Sequence, residues 1–259
     1  LILIKLSQLP SFFFFCVSIV VRSGIANRIS RDVAIIGAGA AGMMCAIEAG
    51  QRGRRVILID HAHKLAEKIR ISGGGRCNFT NGYCTPENFI SNNLHFCRSA
   101  LARYTPQDFI ARIEKHGIHY HEKKLGQLFC DDSALQIIAM LQKECAAAGV
   151  EWQMPSCVEE VKYRAADESR PVTQPFLLTT ERNTIETASL VIATGGLSIP
   201  QIGASGYGYQ IANQFGIAVV PPRPGLVGLT FNADDFTEFK DISGLSIEAE
   251  VGCNGAVFR

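Results

Sequence analysis

A glycine-rich segment between two apolar runs constrains the fold of this chain more than any other feature. The apolar run 33–36 has the β-branched composition of a buried parallel strand. The pattern Gly-x-Gly-x-x-Gly follows over residues 37–42, and an alanine-rich stretch then predicts a helix to about Arg52. Residues 55–59 predict a second strand, which ends at Asp60. Strand, glycine turn, helix, strand and terminal acid together predict a Rossmann-like α/β domain that binds a dinucleotide.

Each residue of this fingerprint has a physical role. Gly37 allows the tight turn, Gly39 lets a pyrophosphate approach the backbone, and Gly42 lets the helix pack closely on the strand. The helix N-terminus offers free N–H groups to phosphates, and Asp60 is placed to accept ribose hydroxyls. A glycine-rich turn in another α/β protein is the alternative, but agreement of all five elements favours nucleotide binding. The candidate cofactor-binding residues here are Gly37, Ala38, Gly39, Ala40, Ala41, Gly42 and Asp60.

The composition and the net charge limit which classes of substrate and partner are expected. The chain has 259 residues, 47% of them hydrophobic, which suffices for one large or two smaller domains. A net charge of +1 offers no electrostatic footprint for nucleic acid, so a small-molecule substrate is expected and a nucleic-acid partner is not. The nine cysteines lack Cys-x-x-Cys or zinc-finger spacing, so no metal site is expected. Reduced thiols and a cytoplasmic location are the matching expectation.

The N-terminal segment differs from the rest of the chain. Its apolar run 12–21 is shorter than the about 20 residues that span a bilayer, and it has the length of a signal-peptide core. Residues 1–30 are therefore expected to be a non-native or signal-like extension, with the first strand starting at Asp32. No stable membrane association is expected.

The stretch "SGGGRCNFTN" (72–81) raises a second question, because three glycines run directly into a cation, a thiol and an amide. Glycine clusters mark either a loop or a close backbone approach to a ligand. "KIRISGGGRCNFTN" (68–81) resembles the signature of the BaiN/YhiN-type NAD(P)/FAD-dependent oxidoreductases, within the glutathione-reductase-like flavoproteins. The resemblance continues through 121–134, 190–216 and 224–231, and it covers most of the chain from about residue 31.

This resemblance implies FAD as the cofactor, and NAD(P)H is a candidate reductant. The reaction it implies is hydride transfer through the flavin to or from a small molecule, with enone-like or steroid-like reduction as one form. A flavin-binding or partner-binding protein without turnover, including a truncated remnant, is the alternative. A simple NAD dehydrogenase is a third option, which the 72–81 motif weakens. No second strand–glycine–helix unit for NAD(P)H is visible in the sequence.

The resemblance also assigns site residues. Backbone amides of Gly74 and Gly75 would bond the flavin or the pyrophosphate, Lys68 and Arg76 would offset phosphate charge, and Asn78 would bond a polar flavin edge. Cys77 is expected to pack against the ring as an inert thiol, since the next cysteine along the chain, Cys84, lacks dithiol spacing. The remaining implied cofactor contacts are Val158, Ala193, Thr194 and Gly195. Catalytic residues stay unassigned.

The domain organisation follows from the same resemblance. Residues 31–199 are expected to form the FAD-binding domain, and residues 200–259 the incomplete start of an inserted, mainly β substrate domain. A returning strand and helix would complete the flavin pocket in the resembled proteins. The chain is therefore expected to be a fragment with an unpaired apolar sheet edge, weak FAD binding and no turnover of its own.

Local patterns complete these expectations. Residues 118–130 predict a hairpin around Gly126, on which His119 and His121 are exposed rather than catalytic. Ser133 and Gln136 predict a capping box that opens a helix to about Ala148. Residues 149–161 predict one strand.

Overall fold

The structure is a computed structural model that describes residues 27–165, 172–199, 202–225 and 250–258. It divides into two compact units, one up to Ile217 and one from Ala218. The first unit continues past the expected boundary at residue 199, because it includes a helix at Tyr207–Gln214. Of the expected extension 1–30, residues 1–26 are not among the described residues. The remaining four, residues 27–30, belong to a strand.

Eleven strands are present among the described residues: β1 Asn27–Ile36, β2 Val56–Ile59, β3 Asn78–Asn81, β4 Tyr120–Glu122, β5 Gln127–Cys130, β6 Glu151–Gln153, β7 Val158–Tyr163, β8 Phe176–Thr180, β9 Asn183–Ile192, β10 Val251–Cys253 and β11 Ala256–Phe258. Six α-helices accompany them in the same part of the chain: α1 Ala40–Gln51, α2 Glu67–Ile71, α3 Arg98–Arg103, α4 Pro106–Lys115, α5 Ala134–Ala147 and α6 Tyr207–Gln214. Short 3-10 turns lie at Ser72–Gly75 and Pro86–Asn88.

The first unit is built on a six-stranded sheet in the order β6-β2-β1-β9-β8-β7. β6, β2, β1 and β9 run parallel, and β8 and β7 are antiparallel additions. Helix α1 connects β1 to the parallel strand β2, which is the predicted strand–glycine–helix–strand unit. The expected Rossmann-like α/β fold is confirmed, and it gathers the carboxyl ends of β1, β2 and β9 at one edge.

Apolar side chains cover both faces of this sheet. One cluster joins Ile35 and Leu58 to Met43 of α1 and Leu141 of α5. The opposite cluster joins other sheet residues, including Ile57, to Ile211 of α6. β2 is buried at all four positions, as expected for a parallel strand covered on both faces.

β1 begins at Asn27 rather than at the expected Asp32. Its polar first half, Asn27–Arg31, pairs in parallel with β9 from Asn183 to Thr187. Backbone pairing extends this strand beyond its apolar core, so hydrophobic pattern alone placed the start too late.

Two other local expectations were wrong. Residues 149–161 form two strands, β6 and β7, which are separated at the cis bond between Met154 and Pro155. Ser133 caps α5 by accepting the N–H of Leu135, but Gln136 donates its amide to Asp132 instead of completing a capping box.

The prediction that the sheet has an unpaired apolar edge was also wrong. The two edge strands are β6, which has only three residues, and β7, whose Glu159, Glu160 and Lys162 are exposed. Lys162 and Glu160 form an ion pair 2.8 Å apart. Short length and exposed charge are the devices by which natural edge strands avoid pairing with other chains.

A second, three-stranded antiparallel sheet has the order β3-β5-β4. The predicted hairpin around Gly126 is confirmed as the β4–β5 pair, with Tyr120 opposite Cys130. Two residues separate β3 from the glycine-rich 72–75 turn, so the last four residues of the 72–81 motif form a strand of this sheet.

The second unit contains the antiparallel hairpin β10–β11. Residues 226–249, on which most of the expected β-rich insert falls, lie outside the described residues. None of the helices in the described part of the chain combines the length and the hydropathy that crossing a bilayer requires.

Candidate cofactor-binding site

A cavity of about 970 Å³ opens at the carboxyl ends of the parallel strands, within the first unit. This is the edge at which open α/β sheets bind their ligands. Twelve of the residues predicted from the sequence line it: Gly37, Gly39, Ala40, Ala41, Asp60, Lys68, Cys77, Asn78, Val158, Ala193, Thr194 and Gly195. The fold thus brings the first glycine motif, the "GGGRCN" motif and the β9 terminus to one place.

The three fingerprint glycines have different surroundings. Gly37 has φ +108°, and a Cβ there would lie 2.4 Å from the carbonyl oxygen of Ala193. A Cβ on Gly42 would lie 1.8 Å from the carbonyl oxygen of Gly37. A Cβ on Gly39 would meet nothing within 4 Å. The predicted turn role of Gly37 and packing role of Gly42 are confirmed, and Gly39 borders open space in the cavity wall.

The N-terminus of α1 faces this cavity through Ala40 and Ala41. No side chain caps the helix, and no acidic residue lies in its first turn. Its first N–H groups therefore have no partner within the helix and carry the positive end of the helix dipole. This is the arrangement that suits an anionic group such as a pyrophosphate.

Asp60 follows β2 and lines the cavity beside the glycine turn. Its Oδ2 accepts the N–H of Ala38 at 2.6 Å, and its Oδ1 accepts the N–H of Ala62 at 2.8 Å. The carboxylate is thereby fixed in orientation, and each oxygen keeps a further lone pair for a ligand hydroxyl. His61 Nδ1 lies 3.5 Å from Oδ1.

Lys68 also lines the cavity and donates a hydrogen bond of 2.6 Å to Ser198 Oγ. This bond joins α2 to the segment after β9, and both of its residues line the cavity. The ammonium group keeps two donors for an anion, as the predicted phosphate role requires.

Five predicted residues do not line the cavity. Ala38 is fully buried and acts through its N–H to Asp60, while Gly42 packs behind the turn. Gly74, Gly75 and Arg76 lie beside the cavity wall without forming it, and Arg76 is exposed. The flavin contacts expected of these three residues stay predictions.

The structure places a second thiol near Cys77, which the sequence did not suggest. Cys130 on β5 belongs to the same buried cluster as Cys77, and its N–H donates to the carbonyl of Arg76 at 3.0 Å. Burial raises the pKa of Cys77, and burial together with the nearby Cys77 raises the pKa of Cys130 to about 11. Both groups are therefore thiols rather than thiolates at neutral pH, which disfavours a redox dithiol.

Cys77→Ser is expected to leave hydride reduction of the bound flavin intact, because a buried, protonated thiol is a poor nucleophile. Anaerobic bleaching of flavin absorption by NADH or NADPH measures this, with Cys130→Ser as the matched variant. A Cys77→Ser protein that retains flavin but cannot be bleached would contradict the packing role.

Several cavity residues were missed by the sequence analysis, among them His61, Ser156 and Tyr207. His61 was accessible to prediction, because it follows Asp60 at a parallel-strand terminus. Ser156 is positioned by Gln153, whose buried amide donates to Ser156 Oγ at 2.9 Å and to Thr180 Oγ1 at 3.0 Å. No pattern in the sequence marks such a long-range network.

The histidines of the 116–121 region lie outside this cavity. His116 contacts Glu144 at 2.9 Å beside the Arg112–Glu144 ion pair, and His121 contacts Asp131 at 2.7 Å. Within the described ranges, no cluster of histidine, cysteine or acidic side chains has the arrangement of a metal site.

Comparison with known proteins identifies the family to which the chain belongs. Residues 31–252 match the family described as HI0933-like protein Rossmann domain. A ribosomal RNA dihydrouridine synthase of Escherichia coli K12 is 51% identical over 229 residues, covering 88% of this chain and 55% of that protein. The Haemophilus influenzae protein of the same name is 46% identical over 217 residues, covering 84% of this chain and 53% of that protein.

A more distant relative is the 3-dehydro-bile acid delta(4,6)-reductase of Clostridium scindens, 23% identical over 222 residues, covering 85% of this chain and 51% of that protein. The chain thus spans about half the length of the curated relatives it matches. Because the family match spans residues 31–252, which is more than half of the chain, the chain belongs to the HI0933-like Rossmann-domain family.

Proposed function

We propose that the cavity binds FAD and that the protein reduces a uracil base of ribosomal RNA to dihydrouracil. The observation that carries the proposal is the glycine-fingerprint cavity in a chain 51% identical to a relative named ribosomal RNA dihydrouridine synthase. Because the chain spans 55% of that relative, the activity is proposed for the whole protein.

The residues present fit an FAD dinucleotide. The volume of about 970 Å³ lies at the upper end of the ~300–1,000 Å³ typical of small-molecule sites. The open direction at Gly39 and the uncapped start of α1 suit the pyrophosphate. Asp60 suits the ribose, and the apolar wall at Val158 suits the adenine.

The chemistry of the base suits a flavin protein. Bound FAD would supply the hydride once NADH or NADPH had reduced it. The 5,6 double bond of uracil is conjugated with the C4 carbonyl, so it is an enone-like acceptor that takes a hydride at C6 and a proton at C5. Reduction of this double bond is the enone-like type of reaction expected from the sequence. The acceptor is a nucleic-acid base instead of a free small molecule.

The residues of this chain would hold and shield the reacting groups. The α1 terminus and Lys68 would neutralise the phosphates, and Asp60 would fix the ribose through its bonds to Ala38 and Ala62. The buried apolar wall that includes Cys77 would exclude water beside the ring.

Reduction of a free small molecule is the second candidate. The distant relative named as a bile acid reductase supports it, as does the net charge of +1, which motivated the expectation of no nucleic-acid partner. The higher identity of the two relatives named for ribosomal RNA makes RNA the favoured substrate.

The test is anaerobic incubation of the FAD-loaded protein with NADH or NADPH and unmodified ribosomal RNA transcripts. Nucleoside mass spectrometry should detect a uridine that has gained two hydrogen atoms. A steroid enone in place of RNA tests the second candidate in parallel. Reduction of the enone without dihydrouridine in the RNA would overturn the proposal, as would a protein that binds no flavin.

Asp60→Ala is expected to weaken FAD binding about ten- to hundredfold, because loss of a charge-assisted hydrogen bond costs about 1.5–3 kcal/mol. Titration of the apoprotein with FAD measures this. Asp32→Ala is the matched control, since Asp32 also accepts a backbone N–H, that of Arg55 at 2.8 Å, yet does not line the cavity. Equal FAD affinities in the Asp60 and Asp32 variants would contradict the ribose role.

A further inference from the structure

The turn between β4 and β5 has a feature that packing does not explain. Leu125 has φ +50° and is 86% exposed. The left-handed conformation is unfavourable for a branched residue, and glycine or asparagine normally occupies it. An exposed leucine gains no burial that would offset this strain. The side chain is therefore held outward at a local cost in stability.

The backbone of this turn is fixed by neighbouring groups. Asn81 Nδ2 donates to the carbonyl of Leu125 at 2.8 Å, and Gly82 N donates to the carbonyl of Gly126 at 2.8 Å. Gly126 N donates to Glu122 Oε1 at 3.0 Å. The first two bonds join the turn to the last residue of β3 and to the residue after it, and the third joins Gly126 to Glu122 within the hairpin. Leu125 is consequently presented on a rigid support, which reduces the entropy lost on binding a partner.

Two cations precede the exposed leucine. Lys123 and Lys124 are exposed, and neither forms an ion pair with any residue that the structure describes. Lys123 Nζ lies 5.4 Å from the centroid of the Phe129 ring. The adjacent Glu122 is also exposed, but its Oε1 accepts the N–H of Gly126, whereas the two lysines have no ionic partner among the described residues.

An exposed aromatic ring lies beside this turn. Tyr83 is 68% exposed, and its ring lies against Gly126, where a Cβ would approach it to 2.5 Å. The turn also lies on the sheet that borders the cavity. Phe129 of β5 packs on Gly73 of the glycine-rich loop, and β3, paired with β5, starts at the cavity residue Asn78.

We propose that residues 123–126 together with Tyr83, here called the Lys-Lys-Leu turn, dock single-stranded RNA on the sheet that borders the cavity. The lysines contact phosphates, while Leu125 and Tyr83 contact the faces of unstacked bases. Cations that follow the backbone, combined with apolar and aromatic contacts to bases, are the general chemistry of single-strand binding. The proposal rests on the proposed function and names the surface that presents its substrate.

Binding is measured by fluorescence anisotropy of a labelled oligouridylate on the FAD-loaded protein at several salt concentrations. Lys123→Ala/Lys124→Ala should reduce the slope of log affinity against log salt by about 1.4, from two contacts at ~0.7 each. Tyr83→Ala should weaken binding roughly five- to hundredfold, as for the loss of one base stack. Lys143→Ala is the matched control, because Lys143 is an exposed lysine on α5.

The variant Leu125→Gly distinguishes an effect on RNA binding from an effect on the stability of the fold. Glycine adopts positive φ without strain, so this variant should unfold at a higher temperature than the parent while binding RNA more weakly. Flavin reduction by NADH or NADPH should be unchanged, since none of the residues of the Lys-Lys-Leu turn lines the cavity.

The outcomes for docking and for the proposed function are distinguishable. No RNA binding by the parent protein, or equal binding by the turn variants, would overturn the docking proposal even if dihydrouridine forms. A change in oligomeric state with unchanged RNA affinity in Leu125→Gly would assign the turn to a protein contact and also overturn it. If RNA binding depends on the turn but no dihydrouridine is formed, the docking proposal is supported and the proposed reaction is contradicted.

Discussion

Gly39→Val is expected to abolish FAD binding while lowering the unfolding midpoint by only a few degrees. The backbone at Gly39 has φ −80°, which any residue adopts, and an added Cβ would meet no protein atom within 4 Å. The space beside it is the part of the cavity that the pyrophosphate would occupy in our proposal. Valine there would fill that space and separate the phosphate from the first N–H groups of α1.

The expected effect on folding is small, for a separate reason. Gly39 is the N-cap residue of α1, and valine is a poorer N-cap than glycine by about 1 kcal/mol. This corresponds to a midpoint lower by about 2–4 °C for a chain of this size. Flavin absorption after purification and far-ultraviolet circular dichroism measure the two effects separately. Retained stoichiometric flavin in Gly39→Val would show that the fingerprint serves packing alone.

The sequence predicted the fingerprint part of the site because its signals are local. Strand, turn, helix and terminal acid all lie between residues 33 and 60, and each follows from nearest-neighbour chemistry. The structure places Gly37, Gly39 and Asp60 around one cavity, as this pattern required. The β4–β5 hairpin was predicted for the same reason, since Gly126 marks its turn.

The parts that escaped prediction depend on pairing between distant segments. Cys130 comes near Cys77 because β5 pairs with β3, with Phe129 opposite Asn78. The polar start of β1 is a strand because β9 supplies its hydrogen-bond partners. Periodicity reports burial of side chains and contains no information about which backbone groups will meet.

The positive φ of Leu125 illustrates the same limit. Glycine or asparagine would have signalled a left-handed position, whereas leucine gives no such signal. Only the bonds from Asn81 and Gly82 to this turn reveal that its conformation is imposed from another strand.

Gly42→Ala is expected to destabilise the fold strongly, in contrast to a change at Gly39. An added Cβ would lie 1.8 Å from the carbonyl oxygen and 3.0 Å from the carbonyl carbon of Gly37. Both neighbours are backbone atoms, which cannot rotate away as a side chain does. Gly37 itself is held, because its N–H donates to the carbonyl of Ile59 at 2.7 Å and its Cα faces Ala193.

The first turn of α1 would therefore have to move away from β1. Overpacking in a core costs ~1–3 kcal/mol and occasionally more, and a fixed backbone neighbour puts Gly42→Ala at about 3 kcal/mol. The unfolding midpoint should fall by roughly 6–12 °C, and FAD affinity should fall with it, since the N–H groups of α1 move with the helix. Gly39→Ala is the matched control, with the same added methyl group and no contact. Similar midpoints for the two alanine variants in thermal unfolding would mean that α1 does not approach β1 as closely as the structure shows.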